Sequence, residues 1–279
     1  MAPNGSVDQL STINSQLFPD YHTHPQGHRV QQYTQVLLQP WADAARRSGL
    51  TDIAFTDHDR YHAGIDFDEI EQLREQNPDL KLRAGIELDN DPIHSAAGRK
   101  WIEQHWDKLD FVLGSVHFLD RADQMFDSVP AGAEQFENRP IDAIYADYFR
   151  RVREIAATGL VDCLAHLDLI KIHGHRPTAE IGAIASETLD FIRSRNLAVE
   201  LSTAGWRKPV NEPYPADRIV EIAMEKGIPF TTASDAHSYA QLGDNFPSLA
   251  EKMSILGIRE VCTFEKHKRT MRPVSTGSR

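Results

Sequence analysis

Six short apolar stretches rich in β-branched and aromatic residues, DIAFTDH, KLRAGIEL, DFVLGSVHF, VDCLAHL, LAVELST and IPFTTASDAH, recur along the chain. Helix-period segments such as PWADAARRSG, DFDEIEQLREQN, PIDAIYADYFRRVREIAATG, AEIGAIASETLDFIRSRN and PADRIVEIAMEKG separate them. An earlier run closing in DYHTH brings the strand-helix alternation to about seven units. Such alternation implies parallel strands joined by crossover helices. With this many units a closed barrel is preferred to an open doubly wound sheet, so the expected fold is a single distorted TIM-like (β/α)7 barrel. The barrel is expected over residues 16–266, between a flexible N-terminal segment (1–15) and a flexible tail (267–279), both polar and poor in core formers. The polar segment 119–139 reads as a long loop over the barrel mouth.

Nearly every strand candidate ends in a metal-ligand residue type. His22 and His24 close the first, His58 the second, Glu87 the third, His117 the fourth, His166 the fifth, and Asp235 with His237 the last. Barrel enzymes gather catalytic groups at the C-terminal strand ends, so these side chains should meet at one rim. His22 and His24, two apart on a strand, project from one face and can share an ion, and Asp235 with His237 should repeat that geometry. Mixed imidazole and carboxylate ligation suits Zn, Fe or Mn better than Ca or Mg. The remaining histidines, His62, His94, His105, His173, His175 and His267, fall in helices, loops or the tail and are expected to be surface or supporting groups. Asp57 and Asp168, beside candidate ligands, are expected to orient ligating imidazoles. Arg207 and Lys208 follow the sixth strand, where Arg207 would form a fork for a bound phosphate.

The ordered set DYHTHPQGH, FTDHD, AGIEL, GSVHF, AHLDLIK, ELSTAGWRKPVNEPYP and SDAH resembles the histidinol-phosphatase branch of the polymerase-and-histidinol-phosphatase (PHP) superfamily, from about Asp20 to Thr263. The resemblance implies a trinuclear site of divalent transition metals. It implies that His22, His24, Glu87 and Asp235 hold one ion, with Glu87 bridging to a second completed by His117 and His166. His28, His58 and His237 would hold the third, although His28 follows His24 by four residues where many relatives have six. The implied reaction is hydrolysis of histidinol phosphate by in-line attack of a water activated at the cluster. Arg207 would stabilise the transition state, and Asp235 or His237 would pass a proton to the leaving oxygen. Another small phosphoester, a sugar phosphate or a nucleotide, is the alternative substrate, and a cationic alcohol would favour an acidic group near the mouth, for which Asp59, Glu200 and the 119–139 loop are candidates. An amidohydrolase shares the opening HxH and the late Asp. A noncatalytic module would be expected to have lost ligands.

The partner that the resemblance implies is a small anionic phosphoester, and bulk properties disfavour the other classes. A formal net charge of -11 repels nucleic acid. No apolar run reaches membrane-spanning length and no export signal opens the chain, so a cytoplasmic setting is expected. Two cysteines, Cys163 and Cys262, sit in apolar runs and read as buried hydrophobes.

Overall fold

A computed structural model describes residues 18–274. Among these residues six parallel strands run β1 (Asp52–Phe55), β2 (Lys81–Leu88), β3 (Phe111–Gly114), β4 (Cys163–Leu164), β5 (Ala198–Ser202) and β6 (Phe230–Ala233), each hydrogen-bonded to the next. All but Lys81 of these strand residues are buried, the signature of a parallel sheet covered on both faces. The leading segment closes the cylinder. Asp20 N donates to Asp52 O (3.0 Å) and Ala54 N to Asp20 O (2.9 Å) on one side, while Tyr21 N donates to Thr232 O (3.1 Å) on the other. Asp20 clamps the closure by accepting from Ser234 N and Gly243 N, at 2.9 Å each. The seventh strand position of the expected barrel is therefore filled by a segment too short and irregular to form a full ladder.

Among the described residues seven α-helices cover the outside: α1 (Gln35–Arg47), α2 (Phe67–Gln76), α3 (Ser95–His105), α4 (Ile141–Ala157), α5 (Ile181–Ser194), α6 (Asp217–Glu225) and α7 (Phe246–Leu256). Side-chain caps fix several starts: Thr34 accepts from Leu37 N, Asp66 from Asp68 N, and Glu180 from Gly182 N and Ala183 N. The main core lies between sheet and helices, and a second cluster, including Tyr21, Phe111, Leu113, Cys163, Ala198, Cys262 and Phe264, fills the barrel interior. Both cysteines are buried and free. No helix among the described residues is long and apolar enough to cross a membrane.

The expected flexible tail is corrected in part. Lys268–Pro273 forms β8, which pairs antiparallel with β7 (Glu260–Glu265) from Glu260↔Pro273 to Glu265↔Lys268. Lys266 and His267, both at positive φ (47° and 61°), make the two-residue turn that such a hairpin requires. β8 reads as a tail because its side chains are mostly outside, while β7 contributes Cys262 and Phe264 to the barrel interior. The hairpin is pinned beneath the N-terminal strand ends. His267 N donates to Asp110 O (2.9 Å), and its ring stacks on Trp106 at 3.6 Å. The segments 1–15 and 275–279 lie outside the described residues.

The 119–139 loop is tied down at its middle. Phe126 is fully buried; its N–H donates to His117 O (2.9 Å), and its carbonyl accepts from His173 Nε2 (2.7 Å).

Candidate metal centre

Ligand-type side chains converge on the C-terminal rim around Glu87. Glu87 Oε1 lies 3.3 Å from His22 Nε2, 3.4 Å from His166 Nε2 and 3.9 Å from His117 Nε2. Its Oε2 lies 2.7 Å from His58 Nδ1 and 3.7 Å from His24 Nε2. Asp235 Oδ1 joins from the far side, 3.2 Å from His24 Nε2 and 3.7 Å from His22 Nε2. His237 stacks on His24 with ring centroids 4.2 Å apart. Three of the groups able to surround an ion are His22–His24–Glu87, Glu87–His117–His166 and His24–His58–His237; His58–Asp89–His117 is another.

Two of these residues sit on strained backbone. His166 has φ 25° and Asp235 φ 52°, each just past its strand. Left-handed conformations in non-glycine residues cost energy and cluster at functional sites. The Asp235–His237 pair thus does not repeat the strand geometry expected of it: the strand ends at Ala233, and the bend turns the Asp235 carboxylate back toward His22 and His24.

The atoms facing one another are left without hydrogen bonds. His22 Nε2, both ring nitrogens of His24, His58 Nδ1, both oxygens of Glu87 and His237 Nε2 are buried without a hydrogen-bond partner. Buried polar atoms are otherwise almost always paired, and a cluster of orphans of this donor type fits borderline divalent cations. The electrostatics agree. Burial opposes ionisation of Glu87, yet His58 and His22 outweigh it and hold the carboxyl well below its usual range. Asp235 behaves alike under His22, His24 and His237. Burial likewise opposes protonation of His22, but Glu200, Glu87 and Asp235 raise it well above an ordinary imidazole. Burial, with His237 and His58, lowers His24 far below it.

Outer partners fix the rings. His22 Nδ1 donates to Glu200 Oε2 (2.8 Å), leaving Nε2 free to face Glu87 and Asp235, and Glu200 Oε1 accepts from His166 N (3.2 Å). His117 Nδ1 lies 3.0 Å from Asp89 Oδ2. Asp57 lies 4.0 Å from His24 Nδ1, and accepts from Tyr33 Oη (2.6 Å) and Gln26 N (3.0 Å). Asp168 is not used this way: it accepts from Ala216 N (2.9 Å) and pairs with Lys171 Nζ (3.0 Å), seating the start of α6. Glu200 and Asp59 are fully buried and neither lines the cavity over the cluster, so neither is an acidic group at the mouth. The sequence signal for Glu200 was a charge inside an apolar strand; for Asp89, a carboxylate two positions beyond Glu87.

A cavity of about 250 Å³ opens over the cluster, lined by His28, His58, Glu87, His117, Met125, Asp127, His166, Leu169, Arg207, Lys208, Asp235, His237 and Gln241. His28 is exposed at its rim, its ring 4.3 Å from that of His237, outside the close groups of ligand atoms. Arg207 is not a free fork: it donates to Ser234 O (2.5 Å) and Asp235 O (3.2 Å) and pairs with Asp244 (3.3 Å), bracing the strained turn. None of His62, His94, His105, His173, His175 and His267 enters a ligand group among the described residues.

Residues 20–204 match the PHP domain. The chain belongs to the PHP family. A relative from Deinococcus radiodurans, named "Probable histidinol-phosphatase", is 34% identical over 244 residues, covering 82% of this PHP chain and 90% of its own. The histidinol-phosphatase of Bacillus subtilis is 24% identical, covering 77% and 92% respectively. Among solved structures, histidinol phosphate phosphatase from Lactococcus lactis subsp. lactis, complexed with Zn, L-histidinol and phosphate, has the same fold. Its TM-score is 0.68 at 19% identity, and the match covers 91% of this chain and 98% of that one.

Proposed function

We propose that this PHP protein hydrolyses histidinol phosphate to histidinol and phosphate, using three divalent transition-metal ions. The observation that carries the reading is the convergence of buried, unpartnered imidazole and carboxylate atoms on Glu87 beneath a cavity edged by Arg207 and Lys208. The 34% identical relative carries the same activity in its name. His22, His24, Glu87 and Asp235 are assigned to one ion and Glu87, His117 and His166 to a second; His58 and His237, with His28 on the open side, are assigned to a third. Bound there, the cations would neutralise the phosphoryl oxygens and make water a stronger nucleophile near neutral pH.

The chain's own groups supply the rest. Lys208 has no carboxylate within ion-pair distance among the described residues and is the free cation for a phosphate oxygen. Arg207 steadies the Asp235 turn and offers the cavity its remaining N–H groups. Asp235, held ionised, is suited to accept the proton of the attacking water. His237, pushed down to about 4 chiefly by burial, is neutral at pH 7 and suits ligation better than proton donation. Phosphate release from histidinol phosphate and from a panel of phosphomonoesters, with metal content measured by elemental analysis, tests the reading. Preferred turnover of histidinol phosphate at close to three ions per chain is expected; indifference to histidinol phosphate would overturn the substrate assignment.

A further inference from the structure

Three carboxylates line the cavity: Glu87, Asp127 and Asp235. The first and last face the imidazoles. Asp127 is different: it comes from the 119–139 loop, and whereas Asp235 Oδ1 lies 3.2 Å from His24 Nε2, Asp127 makes no ion pair with a histidine among the described residues. Its Oδ1 is buried and has no hydrogen-bond partner. A carboxylate oxygen held out of water without a donor is costly, so its position calls for a cationic or N–H partner.

The loop does not place it there by chance of a loose end. Phe126, the preceding residue, is bonded through its N–H to His117 O and through its carbonyl to His173 Nε2, and its ring packs edge-on against Tyr148 at 5.9 Å and Phe136 at 6.3 Å. Met125 and Leu169 give the same cavity an apolar wall beside the carboxylate. The cations Arg207 and Lys208 serve an anionic group; Asp127 with Met125 and Leu169 suits the opposite chemistry, a cationic nitrogen on a partly apolar body.

We infer that Asp127 is the specificity-determining residue for the alcohol side of the substrate, selecting phosphoesters whose alcohol carries a protonated amine or imidazole. The inference rests on the phosphatase reading and deepens it. Histidinol, with both groups, is such an alcohol, whereas sugars, glycerol and nucleosides offer no cation to the carboxylate.

The experiment compares Asp127→Asn with the parent protein, both carrying their metals, on L-histidinol phosphate and on p-nitrophenyl phosphate, whose aryl group carries no cation. Losing a charged partner for a buried polar contact should lower the ratio of the two kcat/KM values by roughly 10- to 100-fold, mainly through KM for the cationic ester. Asp127→Glu should recover part of that ratio. Calorimetric titration with L-histidinol should show the same weakening in Asp127→Asn, a readout independent of turnover. An unchanged ratio with unchanged histidinol binding overturns the inference while leaving the phosphatase reading intact. A parent protein that hydrolyses neither ester overturns that reading, and the titration then decides Asp127 alone: failure of the parent to bind histidinol, or equal binding by the variant, sinks it.

Discussion

Replacing Glu200 by Gln tests whether the metal centre is held by its outer partners as well as by its ligands. Glu200 is fully buried and accepts twice, from the His22 ring at 2.8 Å and from the His166 backbone N–H at 3.2 Å, so one carboxylate orients two candidate ligands. The amide is nearly isosteric but keeps a single accepting oxygen: turned toward His22 it still accepts from Nδ1, without the charge that strengthens that bond, while its NH2 is set against the His166 N–H. A charged hydrogen bond contributes about 1.5–3 kcal/mol against about 1 kcal/mol for a neutral one, so the loss should be about 1–2 kcal/mol. At 1.36 kcal/mol per decade that is roughly a tenfold weaker ion, within the range seen when outer partners of ligating histidines are removed. Glu200→Ala strands both donors as well and should cost roughly another tenfold or more. Dialysis against a graded chelator series, followed by elemental analysis, reads this as a shift in the release of the ion held by His22. If Glu200→Gln retains its ions within twofold of the parent while His22→Ala loses one, the orientation argument is wrong.

Proton competition provides a second test. Asp89 and Asp127 outweigh burial to bring His117 up to about 10, and His22 also stands well above its ordinary value, so both hold protons at pH 7 in the ion-free protein. Ions must displace those protons, and affinity in chelator competition between pH 6 and 8.5 should rise about tenfold per pH unit for each proton released; a flat profile would refute it. By the same sign, raised His117 stabilises the ion-free fold fully below its unfolded value near 6.5 and loses that contribution as pH rises toward 10. The ion-free melting temperature should therefore fall across that window, and loading should abolish the trend. Gly98→Ala would set a Cβ 2.1 Å from Asp59 Oδ2, beside the turn that follows His58. Overpacking of this kind costs about 1–3 kcal/mol, or roughly 2–10 °C in a thermal melt, and an unchanged Tm would contradict it. Lys208→Ala should raise KM for the phosphoester roughly tenfold with its ions retained, whereas Arg207→Ala, by releasing the Asp235 turn, should depress kcat and ion retention together; the reverse pattern would exchange their roles.

The barrel was legible because its strands are buried on both faces, so apolar runs of strand length stood out and a histidine or carboxylate closing one was conspicuous. The helices were less evenly readable. α1 begins at Gln35 under the Thr34 cap and carries Pro40 inside it, where the proline reads as a start, and β8 is polar because only its partner strand faces the core. Within the site, adjacency along the chain misled. Asp168 follows His166 by two residues yet turns to α6, and Arg207 braces a backbone turn. The carboxylates that contact ligand rings come instead from other strands: Glu200, at the centre of β5, reaches His22 across 178 positions, and Asp89, just past β2, reaches His117 beyond the neighbouring β3. A ligating ring at a barrel rim has its own backbone behind it, so the space beside its second nitrogen belongs to an adjacent strand. A charged residue inside an otherwise apolar strand is therefore the feature that points to such a partner, and it does so more reliably than a carboxylate next to the ligand in sequence.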